Sequence, residues 1–551
     1  MGKANGVQGA LRTKVVIVGG GPVGLATALL LGRFGIDHVL VERAAGTTDH
    51  PKARGVDIRT MELFRQWGVE GRIAARGLPP GADVFAIVDS MSGVEHGRTV
   101  AELNLGQSTS WRCMVSQDVV EEEILAVAKT NPHGQVCFRT EFIGFTASDD
   151  GVAVQLRDLD SGAVQELVAD ILIGADGAGS NVRRQADIEM RGPSTLAVMA
   201  NEYWSADLSH LPRIDATAAY RIVPNGPEES VWTVLNTNGR DRWLSAGYVG
   251  RESDERALPR TDEEVVRMAR RQTGIPDLAV KVISRSTWRL SRQVASQFSR
   301  GRVFLVGDAA HRFPPNGGFG MNSGIQDAHN LAWKLKQVFD GTAGPGLLAS
   351  YDIERRPIAE SNADFSMGNQ KRFLQTDIAL RAGNRDQIDF WIRDTNNHLH
   401  SSGQSLGFAY EEGAVVQDGT VKPTLQSRYY AASDRPGARF PHLWLDLART
   451  RSTLDWFDRN FVLVYGARGD DWQAVARDVS ERSGLVIETR QLDTQDERYG
   501  LLMGLRGAVL VRPDGHVAWR MPWLPADPAA ALGQAIDQIL CRQQPPTKDA
   551  P

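Results

Sequence analysis

The chain has 551 residues, more than one compact core can hold, so we expect two or three domains. Its net charge of −5 provides no basic field, which argues against nucleic acid or an anionic membrane as a partner. The three cysteines are scattered and include no C-x-x-C pair; this favours a cytoplasmic location and gives no support to a disulfide framework, a metal site or a dithiol centre.

The first predicted unit is a strand, a tight turn and a helix within Val15–Leu31, VVIVGGGPVGLATALLL. Gly19, Gly21 and Gly24 occupy the G-x-G-x-x-G positions of a dinucleotide-binding unit. The first glycine lets the chain turn, the second leaves room for a pyrophosphate, and the third lets the helix approach the sheet. A glycine turn without a ligand is the alternative interpretation. The polar residues 1–14 and the broken apolar stretch predict neither a signal peptide nor a membrane span.

A second apolar stretch, HVLVE at His38–Glu42, ends in an acid 18 residues after Gly24. A carboxylate at this spacing can accept hydrogen bonds from the adenosine ribose, so we assign that role to Glu42. Arg43 follows and has two interpretations: it contacts a phosphorylated ribose, or it stacks on the adenine.

Two helices are predicted before the next nucleotide-binding segment. Arg59–Trp67 has an apolar face with helical spacing. Gln117 opens a helix over Asp118–Lys129, whose early acidic residues suit the positive end of a helix.

Two further segments repeat the order of apolar strand, glycine and acid. The first is Asp170–Arg184, which contains Asp176, and the second is Arg302–Leu335, which contains Asp308. Segments so distant in sequence indicate one long cofactor held at both ends, which is how a flavin dinucleotide is usually bound. We therefore expect three strand-then-acid units to converge on one nucleotide site.

A proline- and glycine-rich loop precedes a helix predicted from Met321 through Gln337. Backbone N–H groups at such a helix start can stabilise negative charge on the edge of a reduced flavin. Gly318 and Gly320 are therefore candidates for an electrostatic role in catalysis, with a plain tight turn as the alternative.

The ordered combination of these motifs resembles the FAD-dependent aromatic hydroxylases, which are single-component flavoprotein monooxygenases, over roughly residues 14–374. Each matching position has a counterpart among the family's cofactor contacts. The matches are Gly19, Gly21, Gly24 and Glu42 for the dinucleotide fingerprint, Asp176 for the DG motif that serves FAD and NAD(P)H, Asp308 for the ribityl chain, Gln117 for a polar ribityl contact, and Gly318–Asn322, with Gly320, Met321 and Asn322, for the flavin pyrimidine edge.

The resemblance implies that NADPH or NADH reduces FAD, that the reduced flavin captures O₂ as a C4a-hydroperoxide, and that a small aromatic substrate is hydroxylated. The cofactor carries the difficult chemistry. The protein excludes water, positions the ring and favours its phenolate form. No side-chain nucleophile is required.

The residues that activate the substrate are less well defined. The segment His50–Asp57, HPKARGVD, departs from the family pattern, because Lys52 stands where an arginine is common. The acid that activates phenol in phenol hydroxylases aligns with Arg54 and is missing. Arg54 and Asp57 are left as candidate catalytic residues, with a surface role as the alternative for either.

The predicted fold class is α/β, with a Rossmann-like FAD-binding domain, an inserted β-sheet substrate domain and a thioredoxin-like C-terminal domain. The FAD-binding domain takes 14–104, 112–196 and 290–383, and the substrate domain takes 105–111 and 197–289. Alternating stretches predict strands of a sheet above the flavin, with most of its aromatic rings in the core. A connecting region, 384–434, leads to the C-terminal domain, 435–541. Because that domain has no paired cysteines, we expect a packing role or a contact in a homodimer.

Three other functions stay open at this point. A flavin-dependent tailoring oxidase or a halogenase shares the first fingerprint, although the W-x-W-x-I-P motif of halogenases does not occur here. A non-catalytic flavin-binding protein is the third, because cofactor motifs do not prove turnover. Within the hydroxylases, the motifs are most similar to the dichlorophenol hydroxylase and polyketide tailoring groups.

Overall fold

The structure, a computed structural model, describes residues 11–224, 230–250, 260–492 and 502–542. Most of the N-terminal segment 1–14, and parts of the predicted substrate and C-terminal domains, lie outside these residues. The strands are β1 (Leu11–Val18), β2 (His38–Val41), β3 (Gly55–Val56), β4 (Phe85–Val88), β5 (Glu95–Arg98), β6 (Cys113–Met114), β7 (Gly134–Cys137), β8 (Thr140–Ser148), β9 (Gly151–Asp158), β10 (Val164–Gly174), β11 (Met190–Arg191), β12 (Ala197–Ser205), β13 (Ala219–Ile222), β14 (Trp232–Asn236), β15 (Arg242–Gly250), β16 (Lys281–Leu290), β17 (Gln293–Ala295), β18 (Ser299–Arg300), β19 (Val303–Leu305), β20 (His311–Arg312), β21 (Phe461–Gly466), β22 (Ile487–Leu492), β23 (Ala508–Val511) and β24 (Val517–Met521).

The helices lie on the faces of these sheets or in the connections between strands. They are α1 (Pro22–Arg33), α2 (Ile58–Gln66), α3 (Glu70–Ala74), α4 (Gln117–Ala128), α5 (Asn181–Gln185), α6 (Asp262–Thr273), α7 (Phe319–Phe339), α8 (Ser350–Ala382), α9 (Arg385–Leu399), α10 (Ser402–Leu406), α11 (Asp471–Ser483) and α12 (Pro528–Ile539). The predicted helices over Arg59–Trp67, Asp118–Lys129 and Met321–Gln337 correspond to α2, α4 and α7, so these predictions are confirmed. None of the helices in the described residues is long and apolar enough to cross a membrane.

A mainly parallel sheet forms the first layer, in the order β18-β19-β10-β1-β2-β7. Strands β19, β10, β1, β2 and β7 run in the same direction. Val15–Val18 of β1 are buried, as expected for a central strand covered on both faces. Because these strands are parallel, the residues that follow each of them meet at one edge of the sheet.

A second sheet, which we call the roof sheet, has the order β16-β12-β15-β14-β13-β4-β5. Its outer face packs against α6 through a core that includes Trp204, Tyr220 and Trp243. The expected burial of most aromatic rings is thus confirmed for these three. Strands β4 and β5 also pair in this sheet, although they lie within the range 14–104 that we predicted for the FAD-binding domain. Residues 105–111, which we grouped with the substrate domain, form no strand.

The C-terminal residues form a third sheet in the order β22-β21-β23-β24, with α11 and α12 packed beside it. Strand β21 is parallel to β22 and antiparallel to β23. Before this sheet, the connecting region contains α9 and α10, which the sequence did not predict. All residues of α10 are buried, so this short helix belongs to the interior.

Candidate active site

Three carboxylates meet at the carboxyl edge of the parallel sheet. In the sheet register, Val18 lies beside Val41 and Gly174, and Gly174 lies beside Leu305. Glu42, Asp176 and Asp308 follow these strand ends within a few residues. The predicted convergence of the three strand-then-acid units is therefore confirmed by the strand pairing.

The three fingerprint glycines have different surroundings. Gly19 has φ of +109°, a conformation that favours glycine, and a Cβ there would overlap the backbone of Ala175. A Cβ on Gly24 would overlap the carbonyl oxygen of Gly19. A Cβ on Gly21 would meet nothing within 4 Å, and Gly21 directly precedes α1. The turn therefore leaves open space in front of the unpaired N–H groups of the helix start, as an incoming phosphate requires.

Glu42 closes this turn from the neighbouring strand. Its two carboxylate oxygens accept hydrogen bonds from the backbone N–H groups of Gly20, at 2.6 Å, and Ala44, at 2.8 Å. The side chain is half-buried, and Arg43 beside it is exposed. In this geometry Glu42 holds the turn, and a ribose has to share or replace these backbone contacts.

Asp176 has a similar local role after β10. One oxygen accepts hydrogen bonds from the N–H groups of Asn181, at 2.7 Å, and Val182, at 3.1 Å, at the start of α5. Its other oxygen is buried without a hydrogen-bond partner. Ser180 caps the same helix through Arg183 N–H, and the Arg183 guanidinium donates to the carbonyl oxygen of Ala309. The DG segment is thus joined to the residues after β19.

Asp308 differs from both of these acids. Protein surrounds it on most sides, and the resulting desolvation raises the pKa of its carboxyl. The side chain is nevertheless exposed, so it has access to solvent. Lys52, His311 and Arg312 favour its charged form, and no described residue forms a hydrogen bond with it. A charged acceptor that is free and inside a cleft suits the hydroxyl groups of a ligand.

A buried ionic network, which sequence reasoning did not find, supports the turn before Asp308. Asp327 of α7 accepts hydrogen bonds from Gly307 N–H at 3.2 Å, His311 Nε2 at 2.7 Å and Arg355 Nε at 2.8 Å. Arg355 and His311 favour the charged form and lower the pKa of Asp327. The acid and the arginine are separated by 28 residues on two helices, so only the fold brings them together.

The loop before α7 has the conformation that its glycines allow. Gly317 and Gly318 have φ of +128° and +74°, and Gly318 N–H donates to the carbonyl oxygen of Pro315 at 3.0 Å. Asn322 is fully buried and donates to the carbonyl oxygens of Gly55, at 3.0 Å, and Gly318, at 2.5 Å. The Asn322 side chain therefore links two segments of the chain. The hydrogen-bond donors left free at this end of α7 are backbone N–H groups.

Gly320 and Gln117, two predicted cofactor contacts, have different surroundings. A Cβ on Gly320 would come 3.9 Å from the Asp308 carboxylate, so the start of α7 adjoins that acid. Met321, next in the helix, is buried. Gln117 accepts a hydrogen bond from Ala53 N–H at 3.0 Å and donates to Glu121 at 2.7 Å.

Comparison with known proteins adds to this geometry. A family model described as "FAD binding domain" matches residues 12–366, more than half of the chain, and one described as "Aromatic-ring hydroxylase, C-terminal" matches residues 433–542. The chain belongs to the FAD-dependent aromatic-ring hydroxylases. FAD is its cofactor, and the open turn at Gly21 and the free Asp308 carboxylate fit it.

Relatives over nearly the whole chain are enzymes of this type. The hydroxylase is 35% identical to "Tetracenomycin A2 monooxygenase-dioxygenase" of Streptomyces glaucescens, over 96% of this chain and 97% of the relative. It is 31% identical to "2,4-dichlorophenol 6-monooxygenase" of Cupriavidus pinatubonensis, over 97% of both chains. A solved structure of the flavin-dependent monooxygenase PieE, in complex with FAD and substrate, is 30% identical with a TM-score of 0.88 and covers 97% of this chain and 100% of that one.

The two candidate catalytic residues of the hydroxylase have contacts that the sequence did not reveal. Asp57 is buried; one carboxylate oxygen caps α2 through Thr60 N–H at 2.7 Å, and the other has no hydrogen-bond partner. Burial raises the pKa of Asp57. Arg54 donates from one nitrogen to the carbonyl oxygens of Ala218 and, at 3.0 Å, Asn236 in the roof sheet. The burial of Asp57 contradicts a surface role for that residue, whereas Arg54 is partly accessible.

Arg112 is a further residue of this region that sequence reasoning missed. Its guanidinium donates to the carbonyl oxygen of Leu399, at 2.9 Å, and approaches that of Gly317 at 3.5 Å. It therefore lies between the end of α9 and the loop before α7. It belongs to no motif, so only the fold could reveal it.

The roof sheet also contacts the cofactor side through His50. Its ring nitrogens lie 2.7 Å from Ser284 Oγ and 3.1 Å from Ser286 Oγ, and its ring packs edge-on against Tyr203. Desolvation lowers the pKa of His50, so the ring is neutral at pH 7. The two sheets are thus held together by neutral hydrogen bonds on this side of the cleft.

Proposed function

We propose that the hydroxylase uses NAD(P)H and O₂ to hydroxylate a phenolic or polyketide-type aromatic ring. The observation that carries this proposal is the position of a free, accessible carboxylate, Asp308, beside the N-terminal end of α7. The names of the relatives, which include monooxygenases of a chlorinated phenol and of a polyketide, support this substrate class. The C4a-hydroperoxide route is the finer part of the proposal and rests on the family resemblance.

The cofactor-binding residues in this proposal follow the cleft from end to end. Gly19, Gly21 and Gly24 would receive the pyrophosphate, Glu42 and Arg43 the adenosine, and Asp308 the ribityl chain. Asp176 and Gln117 would complete the walls, and Gly318–Asn322 would lie along the pyrimidine edge. FAD, when bound, supplies the hydride acceptance and the oxygen chemistry of the reaction.

The protein's own contribution is electrostatic and geometric. Helix α7 is 21 residues long. The unpaired N–H groups at its start stabilise negative charge, because the positive end of the helix dipole lies there. The roof sheet covers this end of the cleft and excludes water from the reacting ring. Asn322 holds the helix start against Gly55 and Asp57, which fixes the N–H groups in place.

Stopped-flow absorbance tests the activity directly. The purified FAD-loaded protein is mixed with NADPH or NADH, with and without a panel of phenols, and then with oxygen. We expect a phenol to accelerate flavin reduction, the absorbance of a C4a-hydroperoxide to appear on oxygenation, and a hydroxylated product to form. A flavin that stays oxidised with every phenol, or product containing halogen instead of a new hydroxyl, would refute hydroxylation.

We also propose that the domain division follows the sheets rather than the predicted boundaries. Strands β4 and β5 then belong to the substrate domain. The C-terminal sheet, with one parallel and two antiparallel pairings, supports a thioredoxin-like assignment. A homodimer and a cytoplasmic location remain predictions.

A further inference from the structure

Two arginines, Arg54 and Arg112, carry positive charge that no acid in the described residues pairs with. Arg54 donates to two carbonyl oxygens, and the donors of Arg112 meet only carbonyl oxygens. Neither forms an ion pair with any acid in the described part of the chain. Most other buried arginines of the protein do, such as Arg355 with Asp327 and Arg512 with Glu354. A pair of uncompensated guanidinium groups is costly unless an anion joins them.

The charge of Arg112 disfavours that of Arg54. Desolvation and the charge of Arg112 lower the pKa of Arg54 to about 9. Arg54 is deep within the protein and yet partly accessible, as Asp308 is, which indicates that it borders an open space. Asp57 is the acid whose carboxyl is influenced by the charge of Arg112, but it forms no ion pair with that arginine; burial raises the pKa of Asp57.

The position of the pair relates it to the reacting ring. Arg54 is hydrogen-bonded to the carbonyl oxygens of Ala218, directly before β13, and of Asn236, the last residue of β14. Arg112 adjoins the loop whose Gly318 begins the helix at the flavin edge. The pair therefore lies where the roof sheet, the flavin-edge loop and the segment before β3 meet. A substrate ring held under the roof sheet would present its oxygen there.

We propose that Arg54 and Arg112 bind the ionised hydroxyl of the aromatic substrate, so that this hydroxylase selects and activates phenols by stabilising the oxyanion rather than by a carboxylate base. The hydroxyl proton leaves to solvent, and the oxyanion accepts hydrogen bonds from the guanidinium groups. No bond to carbon changes in this step. The inference rests on the proposed function, because it assumes an aromatic substrate under the roof sheet.

The test uses 4-nitrophenol, whose ionisation is visible by absorbance, on the FAD-loaded protein. We expect the bound probe to ionise about one pH unit lower than the free probe, which is a tenfold preference for the anion. Arg54→Gln keeps a donor for the carbonyl oxygens but removes the charge, so it should weaken phenolate binding about tenfold. Binding of 4-nitroanisole, which cannot ionise, should change by no more than about twofold. Arg54→Lys should restore part of the shift.

Two further variants control this measurement. Arg112→Gln should act in the same direction, which keeps the test valid if Arg54→Gln loads FAD poorly. Arg240→Gln changes an exposed arginine in the turn after Asn236 and should leave the probe as in the wild type. Absence of binding, an unshifted ionisation of the bound probe, or an unchanged shift in Arg54→Gln and Arg112→Gln would overturn the proposal.

The alternative is that the positive charge of Arg54 and Arg112 stabilises the reduced flavin instead of the substrate oxyanion. In that case Arg54→Gln would lower the reduction potential of bound FAD and leave the ionisation of the probe unchanged, which also overturns the proposal. Hydroxylated product from the phenol panel is measured on the wild type in parallel. Product without a probe shift refutes the oxyanion site alone, whereas the absence of product refutes the proposed function.

Discussion

At the scale of single residues, the three acids at the sheet edge are not equivalent. Glu42 and Asp176 already accept hydrogen bonds from backbone N–H groups, so each shapes its own turn. Asp308 has no such partner and keeps its full accepting capacity for a ligand. A ligand that arrives at this edge therefore gains most from Asp308, because the other two acids must exchange existing hydrogen bonds.

Replacement of Asp308 tests this difference. Asp308→Asn removes the charge and one acceptor, so FAD affinity should fall by about 1.5 to 3 kcal/mol, or roughly ten- to a hundredfold. The measurement is the FAD content of the purified protein and its dissociation constant by flavin fluorescence. Asp277→Asn, at an exposed acid remote from the sheet edge, is the matched control. Equal FAD affinity in both variants would contradict the assignment of Asp308.

The residues that sequence could and could not reveal differ in the range of their contacts. Gly24 was identified because its constraint, the carbonyl oxygen of Gly19, lies within five residues of the chain. The partner of Asn322 at Gly55 lies 267 residues away, and that of Arg112 at Leu399 lies 287 residues away. Asn322 was predicted at the flavin edge, but its contact with Gly55 was not. Arg112 looks like an ordinary polar residue until the fold brings Leu399 to it.

At the scale of elements, two glycines at the start of α1 have different functions. Gly24 is needed for the fold, because a Cβ there overlaps Gly19. Gly21 is needed for the ligand, because its Cβ would meet only open space in the protein alone. The same three-glycine motif thus contains one packing requirement and one binding requirement.

A pair of alanine substitutions tests this separation. Gly24→Ala should destabilise the protein without FAD by about 1 to 3 kcal/mol, because the helix must move from the sheet. Gly21→Ala should cost about 1 kcal/mol or less, since only a helix cap changes, yet weaken FAD binding at least about tenfold. Urea unfolding of the apoprotein and FAD titration measure the two effects. Similar losses of stability in both variants would show that the separation is wrong.

Elements with a strong local pattern were predictable, and their partners were not. The periodicity of α2, α4 and α7 gave their existence and nearly their ends. The sequence did not reveal that β4 and β5 pair in the roof sheet, because β4 joins β13, more than a hundred residues later. Helix α10 has only five residues, too few for any periodicity to show.

At the scale of the whole molecule, a buried ionic network docks the C-terminal sheet onto α7 and α8. Glu354 of α8 accepts hydrogen bonds from Lys334 at 2.8 Å and from Arg512 at 2.8 and 2.9 Å. Arg512 also pairs with Asp514 at 2.5 Å. All four side chains are almost completely buried, so each charge depends on its partners. The nearby cationic groups lower the pKa of Glu354 to about 2.

Removal of one charge from this network should therefore strongly reduce the free energy of unfolding. Glu354→Gln leaves Arg512 and Lys334 undercompensated, and we expect about 3 to 5 kcal/mol of destabilisation. Glu360→Gln removes a partly exposed acid that pairs with Arg292, and it should cost about 1 kcal/mol or less. The comparison is made by urea unfolding at neutral pH. Equal costs would indicate that the network contributes no more than a surface ion pair.

The same interface should make the protein sensitive to mild acid. His329 of α7 and His516 of the C-terminal hairpin are buried, and desolvation lowers the pKa of each to about 3. A folded-state pKa below the ordinary value of 6.5 means that the unfolded chain binds more protons between pH 6.5 and pH 3, so stability falls as the pH drops through this range. Between pH 6.5 and pH 5 each histidine should contribute up to about 2 kcal/mol to the loss. Glu354 is not involved there, because its contribution disappears only as the pH falls from its ordinary value of 4.5 towards 2.

A histidine substitution isolates this contribution. His516 donates from Nδ1 to the carbonyl oxygen of Gly437 at 2.9 Å, and His516→Asn can keep that donor while removing the titration. The difference in unfolding free energy between pH 6.5 and pH 5 should then shrink by up to about 2 kcal/mol. His210→Asn, at an exposed histidine, should leave the difference unchanged. A pH dependence that is the same in His516→Asn and the wild type would mean that protonation of His516 does not open this interface, and that the acid sensitivity arises elsewhere in the fold.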